Sequence, residues 1–334
     1  MLDIKGALHV HSNYTPDVAA SVADIVAAAA AAELDFVVLT DHNTLGARTA
    51  GDEGQYGPVT LFAGYEVSPA LNHCLVLGYD ELVPVDAPVS EYAARIREQG
   101  GLCIIAHPFS RGAPLKPGSA HPWREWQADF AGIEIWNLHQ DVGDDADQAA
   151  LAAKRTALAA SLRGPDSATM AVWDNLTARR RVVGVAGSGV RSDEVPFAEA
   201  FRLLRNHLLV LDDWTDATLA MRRGLMLQAL AAGHVYISSQ IGDNAAKVAF
   251  TCRSGSGTLL MGDEGSLGAN AEFVATVPGA SRLRLMRAGE VVAAASGDEL
   301  VYRPRHRGAY RLEAHLHDGR ALRPWALTNP IYLR

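Results

Sequence analysis

From its start to about residue 190 the chain alternates short apolar, β-branched runs with Ala-rich stretches of helical periodicity, the pattern of strands joined by crossover helices. Strands are predicted at Ile4–His11, Phe36–Leu39, Val59–Glu66, His73–Leu77, Leu102–Ala106, Gly132–Trp136 and Arg181–Val185. Helices are predicted at Val22–Glu33, Val89–Gln99, Ala146–Ala159 and Thr169–Arg179. A further helical pattern, Ala217–Gly233, stops at a glycine and leads into the strand-like His234–Ser238. Beyond residue 242 the helices disappear. Lys247–Cys252, Ala271–Val277, Leu283–Arg287, Glu290–Ala294, Glu299–Tyr302 and Ala309–His315 read as short strands separated by turns such as Gly262-Asp263 and Asp318-Gly319. The expected organisation is an α/β domain over 1–241 and a smaller all-β, sandwich-like domain over 242–334.

Composition narrows the class. A chain of 334 residues is long enough for about two domains, and 49% apolar with 20% charged residues matches a folded globular protein. With 38 acidic against 30 basic residues the formal charge is -8, which speaks against a partner held through a phosphate backbone. Most of the 26 Arg stand singly, beside 4 Lys. The three cysteines, Cys74, Cys103 and Cys252, form no Cys-x-x-Cys, so neither a disulfide framework nor a cysteine zinc site is expected. Met1-Leu2-Asp3-Ile4-Lys5 does not resemble a secretory leader, and the longest apolar run, Ile25 to Ala32, is too short to span a bilayer. The expectation is a cytoplasmic protein acting on a small molecule, with neither nucleic acid nor membrane as partner; composition leaves the oligomeric state open.

Chemistry concentrates in the front half. Seven of the twelve histidines, at 9, 11, 42, 73, 107, 121 and 139, fall there, most at or just past the carboxyl end of a predicted strand. In α/β folds that is where side chains distant in sequence converge on one pocket. His9 and His11 are two apart on a predicted strand, which aims both imidazoles to one face. The spacing alone is weak, since His315-Leu316-His317 repeats it in the β-rich region without further candidate ligands; there an exposed strand is expected. Behind His9 and His11, however, follow Asp41-His42, Glu66 and His107, each at a strand end. A carboxylate ending a buried strand is costly unless paired or bound to a cation, so Glu66 among histidines is a candidate bridge between two divalent metals. Other chemistries lack support. Gly187-Ser188-Gly189 does not have the Gly-x-Ser-x-Gly spacing of a nucleophile elbow, and neither a Gly-x-x-x-x-Gly-Lys loop nor a Gly-x-Gly-x-x-Gly fingerprint occurs.

His9-Val10-His11-Ser12, Thr40-Asp41-His42-Asn43, Gly64-Tyr65-Glu66-Val67-Ser68, Ala106-His107-Pro108 and Gly132-Ile133-Glu134-Ile135-Trp136-Asn137 resemble, in order, the motifs of the PHP (polymerase and histidinol phosphatase) metallohydrolase superfamily. Glu134-Ile135-Trp136-Asn137, Trp173-Asp174-Asn175-Leu176 and Asn329-Pro330-Ile331-Tyr332 further resemble its carbaryl-hydrolase-like branch, whose members carry a C-terminal β domain. The resemblance implies a distorted (β/α)7 barrel holding zinc, manganese or iron. It implies that His9 and His11 hold one metal, that Glu66 bridges it to a second held by His107 and a later His, taken as His139, and that His42 serves a third. Asp17 stands where an acidic ligand follows the first motif, and His73 is expected to line the substrate pocket.

One departure stands out. The family closes its site with Gly-Ser-Asp-x-His, and this chain has Gly187-Ser188-Gly189-Val190-Arg191, so both ligands of that motif are replaced. Arg191 cannot ligate a metal, but as a permanent cation it suits a phosphate or carboxylate oxygen of the substrate. One or two metals are therefore expected rather than three, with Glu66 and Arg191 as the catalytic groups and an anionic substrate. The implied activity is hydrolysis of small phosphoesters by a metal-activated water. Hydrolysis of a carboxylic or carbamic ester, and a degenerate member that binds metal or ligand without turnover, stay open as alternatives.

Overall fold

The computed structural model describes residues 1–16, 18–110, 120–143, 159, 162–189, 195–210, 213–240, 247–255 and 257–334. The predicted helix Ala146–Ala159 lies outside these residues except for Ala159, and Asp17 and Arg191 also lie outside them.

Two sheets frame the front half. Leu2–Val10 runs parallel to Phe36–Leu39 on one side and antiparallel to Leu204–Val210 on the other, and Phe36–Leu39 runs parallel to Val59–Ala63. The second sheet takes Tyr65–Val67, Cys74–Leu77, Leu102–Ile105, Gly132–Asn137 and Val183–Gly187 in order. These strands read as unbroken apolar runs because both faces are buried. Helix ends follow their local signals. Ser21 and Asp24 form a reciprocal capping box on Val22–Ala31, and Thr218 caps Leu219–Ala232, which stops at the left-handed Gly233.

The predicted strand Val59–Glu66 is two strands in two sheets, Val59–Ala63 and Tyr65–Val67. The chain changes sheets at Gly64, where a Cβ would lie 2.3 Å from the Val76 carbonyl oxygen, so only glycine allows the approach. The sheets also touch through backbone bonds from Gly64 N to Leu39 O (2.8 Å), Ser188 N to Leu8 O (2.9 Å) and Gly189 N to His9 O (2.8 Å). Among the described residues the strands do not close into one paired ring.

The all-β part has its own core but shares a sheet with the front half. Val235–Ser239 pairs with Leu322–Thr328, so among the described residues one twelve-stranded sheet joins front-half strands to Gly308–His317, Arg282–Arg287 and Glu290–Ser296. A four-stranded sheet, ordered Gly257–Leu260, Ala249–Ser254, Glu272–Thr276 and Glu299–Tyr302, packs against it. Phe250 and Phe273 from the small sheet bury with Leu285, Tyr310, Leu312 and Trp325 from the large one. His315 departs from the exposed strand expected of it: a bulge after Ala314 breaks the alternation, leaving His315 buried and His317 exposed. Arg311 and Asn329 are among the side chains that fasten the halves. Arg311 donates to both carboxylate oxygens of Asp174 (2.7 and 2.8 Å), and Asn329 bonds the backbone of Gly184 through its Oδ1 (2.7 Å) and Nδ2 (2.9 Å).

Candidate metal centre

The five residues nearest the centre arrive on four separate strand ends. His9 has φ of 59° and His107 of 28°, a region that non-glycine residues rarely occupy. Between Ala7 and Val10 the ladder loses register, so strict alternation fails where the two histidines stand. The turned backbone places the His9 and His11 rings 5.0 Å apart and nearly perpendicular. Strain of this kind collects at functional sites, where surrounding bonds hold it in place. Glu66 sits on the three-residue strand after Gly64 and bridges to His42 in parallel, while His73 and His107 flank the adjoining strands Cys74–Leu77 and Leu102–Ile105.

Glu66 is the hub, with its residue 1% exposed. On its Oε2 side lie Nε2 of His9 (3.2 Å), His11 (3.4 Å) and His42 (3.7 Å). On its Oε1 side lie Nδ1 of His73 (2.7 Å) and Nε2 of His107 (3.3 Å). Among the described residues the possible ligand atoms fall into two groups that share this carboxylate: His9, His11 and Glu66, and Glu66, His73 and His107. His42 stacks on His11 at 4.5 Å and places its Nδ1 2.6 Å from the Ser68 hydroxyl.

Burial opposes ionisation of Glu66, but the charges of His9 and His73 and the hydrogen bonds from His107 and His73 outweigh it and hold the carboxyl well below its ordinary range. Burial alone would push His9 down; the carboxylates of Glu134 and Glu66 override it and raise His9 to about 10. His107 goes down, chiefly through burial. Two buried carboxylates thus draw positive charge into the centre, and the buried Nδ1 of His107 has no hydrogen-bond partner. A divalent cation with imidazole and carboxylate ligands fits this donor set.

The structure brings His9, His11, His42 and His107 within 3.7 Å of the Glu66 carboxylate. His73, expected to line the pocket, stands 2.7 Å from Glu66 Oε1, on the same side as His107, beside which the sequence reading expected His139 as a ligand of the second metal. His139 belongs to neither ligand group; its backbone N–H bonds Ser188 O at 3.1 Å. His121, given no role by the sequence, stacks on His73 at 4.1 Å. Asp41 is spent on architecture: it accepts from Ser12 N, Ser12 Oγ and Thr15 Oγ1, each at 2.7 Å. The residue the sequence undervalues is Glu134. It is buried in the middle of an apolar strand, itself the available signal, and its Oε1 lies 2.6 Å from His9 Nδ1.

A cavity of about 570 Å³ opens beside Glu134 and Asn137, walled by Phe109, Trp136, Arg163 and Thr169. Elsewhere Ser238 Oγ, His207 and Asp3 align as a hydroxyl–imidazole–carboxylate chain, 2.8 Å from His207 Nε2 to the hydroxyl and 2.9 Å from Nδ1 to Asp3. Ser238 is 2% exposed and sits in a strand paired on both sides, so this chain braces a sheet face and offers no accessible nucleophile.

No family model matches the chain. The uncharacterized protein MJ1587 of Methanocaldococcus jannaschii is 29% identical over 151 residues, covering 41% of this chain and 85% of that protein. A Bacteroides vulgatus structure, titled a two-domain protein containing a predicted PHP-like metal-dependent phosphoesterase, superposes with TM-score 0.43 at 12% identity over 98% of this chain and 95% of that one. The lesion-specific endonuclease EndoQ of Pyrococcus furiosus superposes with TM-score 0.39 at 14% identity over 69% of this chain and 56% of its own.

Proposed function

We propose that the chain is a PHP-type metal-dependent hydrolase of small phosphoesters. The observation that carries this is Glu66, a buried carboxylate with imidazoles on both oxygens. His9, His11 and Glu66 would hold one divalent metal, and Glu66, His73 and His107 a second. Such an ion supplies a Lewis acid that activates water near neutral pH and offsets the charge developing on a phosphoryl oxygen.

The chain's own residues prepare that chemistry. Burial of His9, His11 and Glu66 keeps bulk water from competing for the ligand atoms and strengthens each electrostatic contact. His42, the most open of the five imidazoles with 28% of its side chain exposed, marks the mouth, and Ser68 fixes its ring through Nδ1. The cavity beside Glu134 and Asn137 is the size of small-molecule sites; Arg163 on its wall lies 3.7 Å from Asp141, and Asp166 shares the lining. Gly189 supplies no side chain at the closing motif, which supports one or two metals rather than three and keeps a non-catalytic, metal-binding member as the second reading.

The test is metal analysis of the purified protein, followed by assays on phosphomonoesters, phosphodiesters and carboxylic esters with zinc, manganese or iron. Phosphoester turnover lost in Glu66→Ala supports the proposal. Metal binding without turnover on any substrate supports the second reading, preferential ester turnover assigns a carboxylic or carbamic ester hydrolase, and absence of metal binding overturns all three.

A further inference from the structure

Glu134 makes three bonds that join otherwise separate parts of the centre. Oε1 lies 2.6 Å from His9 Nδ1, and Oε2 accepts the His107 backbone N–H at 2.7 Å and the Asn137 amide at 3.0 Å. The first two partners are the two histidines with left-handed backbone. The carboxylate lies tight over Gly187, where a Cβ would stand 1.8 Å from Oε1. Asn137 is fixed in turn, its Oδ1 accepting from Gln140 N at 3.1 Å.

We propose that Glu134 is the positioning residue of this centre: it takes the Nδ1–H of His9, leaving Nε2 to face Glu66 as the ligand nitrogen, and it pins the turned backbone that delivers His107. A carboxylate cannot donate, so at 2.6 Å His9 Nδ1 carries a proton toward Glu134; Nε2 meets the Glu66 carboxylate at 3.2 Å and would give up its own proton when a metal takes that place. The same carboxylate couples the two ligand groups, because its other oxygen fixes the backbone from which His107 reaches the far side of Glu66. Gly187 is glycine to leave room for this contact, and the apolar strand Gly132–Asn137 tolerates an acid at this point because three donors meet it. This inference rests on the metal-centre reading above and adds how its ligands are aimed.

The experiment titrates zinc and manganese into purified wild type, Glu134→Gln, Glu134→Ala and Gly187→Ala, with unfolding curves for each, and records long-range ¹⁵N–¹H correlations of the histidine rings. Outer partners of ligating histidines typically change metal affinity about 10- to 100-fold, so Glu134→Gln is expected to keep the metal count but bind that much more weakly. Glu134→Ala should be weaker still, the amide partly rescuing it. Gly187→Ala retains the carboxylate and should reproduce the loss by displacing it. In wild type the His9 ring should show a protonated Nδ1 in a short hydrogen bond, and this signal should shift in Glu134→Gln even if that variant unfolds earlier, a change that a purely structural role would not produce. Unchanged affinity and an unchanged His9 signal overturn the inference while leaving the metal centre intact. Loss of a whole metal equivalent in Glu134→Gln also overturns it, in favour of direct ligation. A wild type that binds no metal overturns both.

Discussion

Replacing Arg311 by Met is expected to loosen the all-β part from the front half. Arg311 reaches from Gly308–His317 to the helix Ser167–Thr177, meeting Asp174 with two bonds of 2.7 and 2.8 Å and Glu313 with one of 2.6 Å. Side-chain exposure is 3% for Arg311 and 9% for Asp174. Burial disfavours the guanidinium charge, but Asp174 and Glu313 more than restore it. Met conserves most of the stem's packing, including the side near Trp173, and leaves Asp174 buried and uncompensated. Breaking a buried pair in this way costs about 3–5 kcal/mol, whereas removing both charges together is often neutral. At about 2 °C per kcal/mol for a chain of this size, Tm should fall by roughly 6–10 °C. Urea unfolding of wild type, R311M, D174L and the double variant measures the effect, and the double variant should recover most of the loss. A cost below about 1 kcal/mol would mean that the pair behaves as a solvated surface bridge. A double variant as unstable as R311M would mean that packing, not stranded charge, accounts for the change. Either result refutes the argument. Thr169 on the same helix lines the cavity beside Glu134, so the variant also reports whether the all-β part sets the shape of the proposed substrate pocket.

Zinc or manganese at about 1,000 times its dissociation constant should stabilise wild type by about 4 kcal/mol in thermal unfolding, with the increment absent in Glu66→Ala. Gly189 has φ of +60°, and a Cβ there would lie 3.0 Å from Asn137 Nδ2. Gly189→Ala should therefore cost about 1–2 kcal/mol in urea unfolding, and Gly189→Asp, which restores the acid that the PHP resemblance leads one to expect, should carry at least that backbone cost. Asp3 is opposed by burial but held below its ordinary value near 3.8 mainly by His207, with Tyr236 adding a hydrogen bond. Its contribution to stability is complete above that ordinary value, declines as pH falls below it, and is gone beneath the depressed folded value. Asp3→Asn should flatten the acid limb of stability against pH; an unchanged limb would show that the contact adds nothing.

Much of this arrangement was legible in the chain itself. Apolar runs in the sequence predicted strands at Phe36–Leu39, Leu102–Ala106 and Gly132–Trp136, and helical periodicity predicted Val22–Glu33 and Val89–Gln99, because these patterns are written over a few neighbouring residues. The recurrence of histidines at strand ends also exposed His9, His11, His42, Glu66 and His107 as one group. Leu204–Val210 escaped because Arg205, Asn206 and His207 interrupt its apolar pattern; each is buried against partners far away in sequence. That His73 stands beside Glu66 Oε1, and that Glu134 meets His9 and the His107 backbone, appears only in the tertiary structure. Where a ring points depends on the left-handed backbone at His9 and His107, and what it meets depends on contacts such as His9 with Glu66 and Glu134, which lie 57 and 125 positions away. Residue identity sets which atoms can bind or donate, but only folding brings those distant atoms within the few ångströms at which electrostatics and hydrogen bonding select among them.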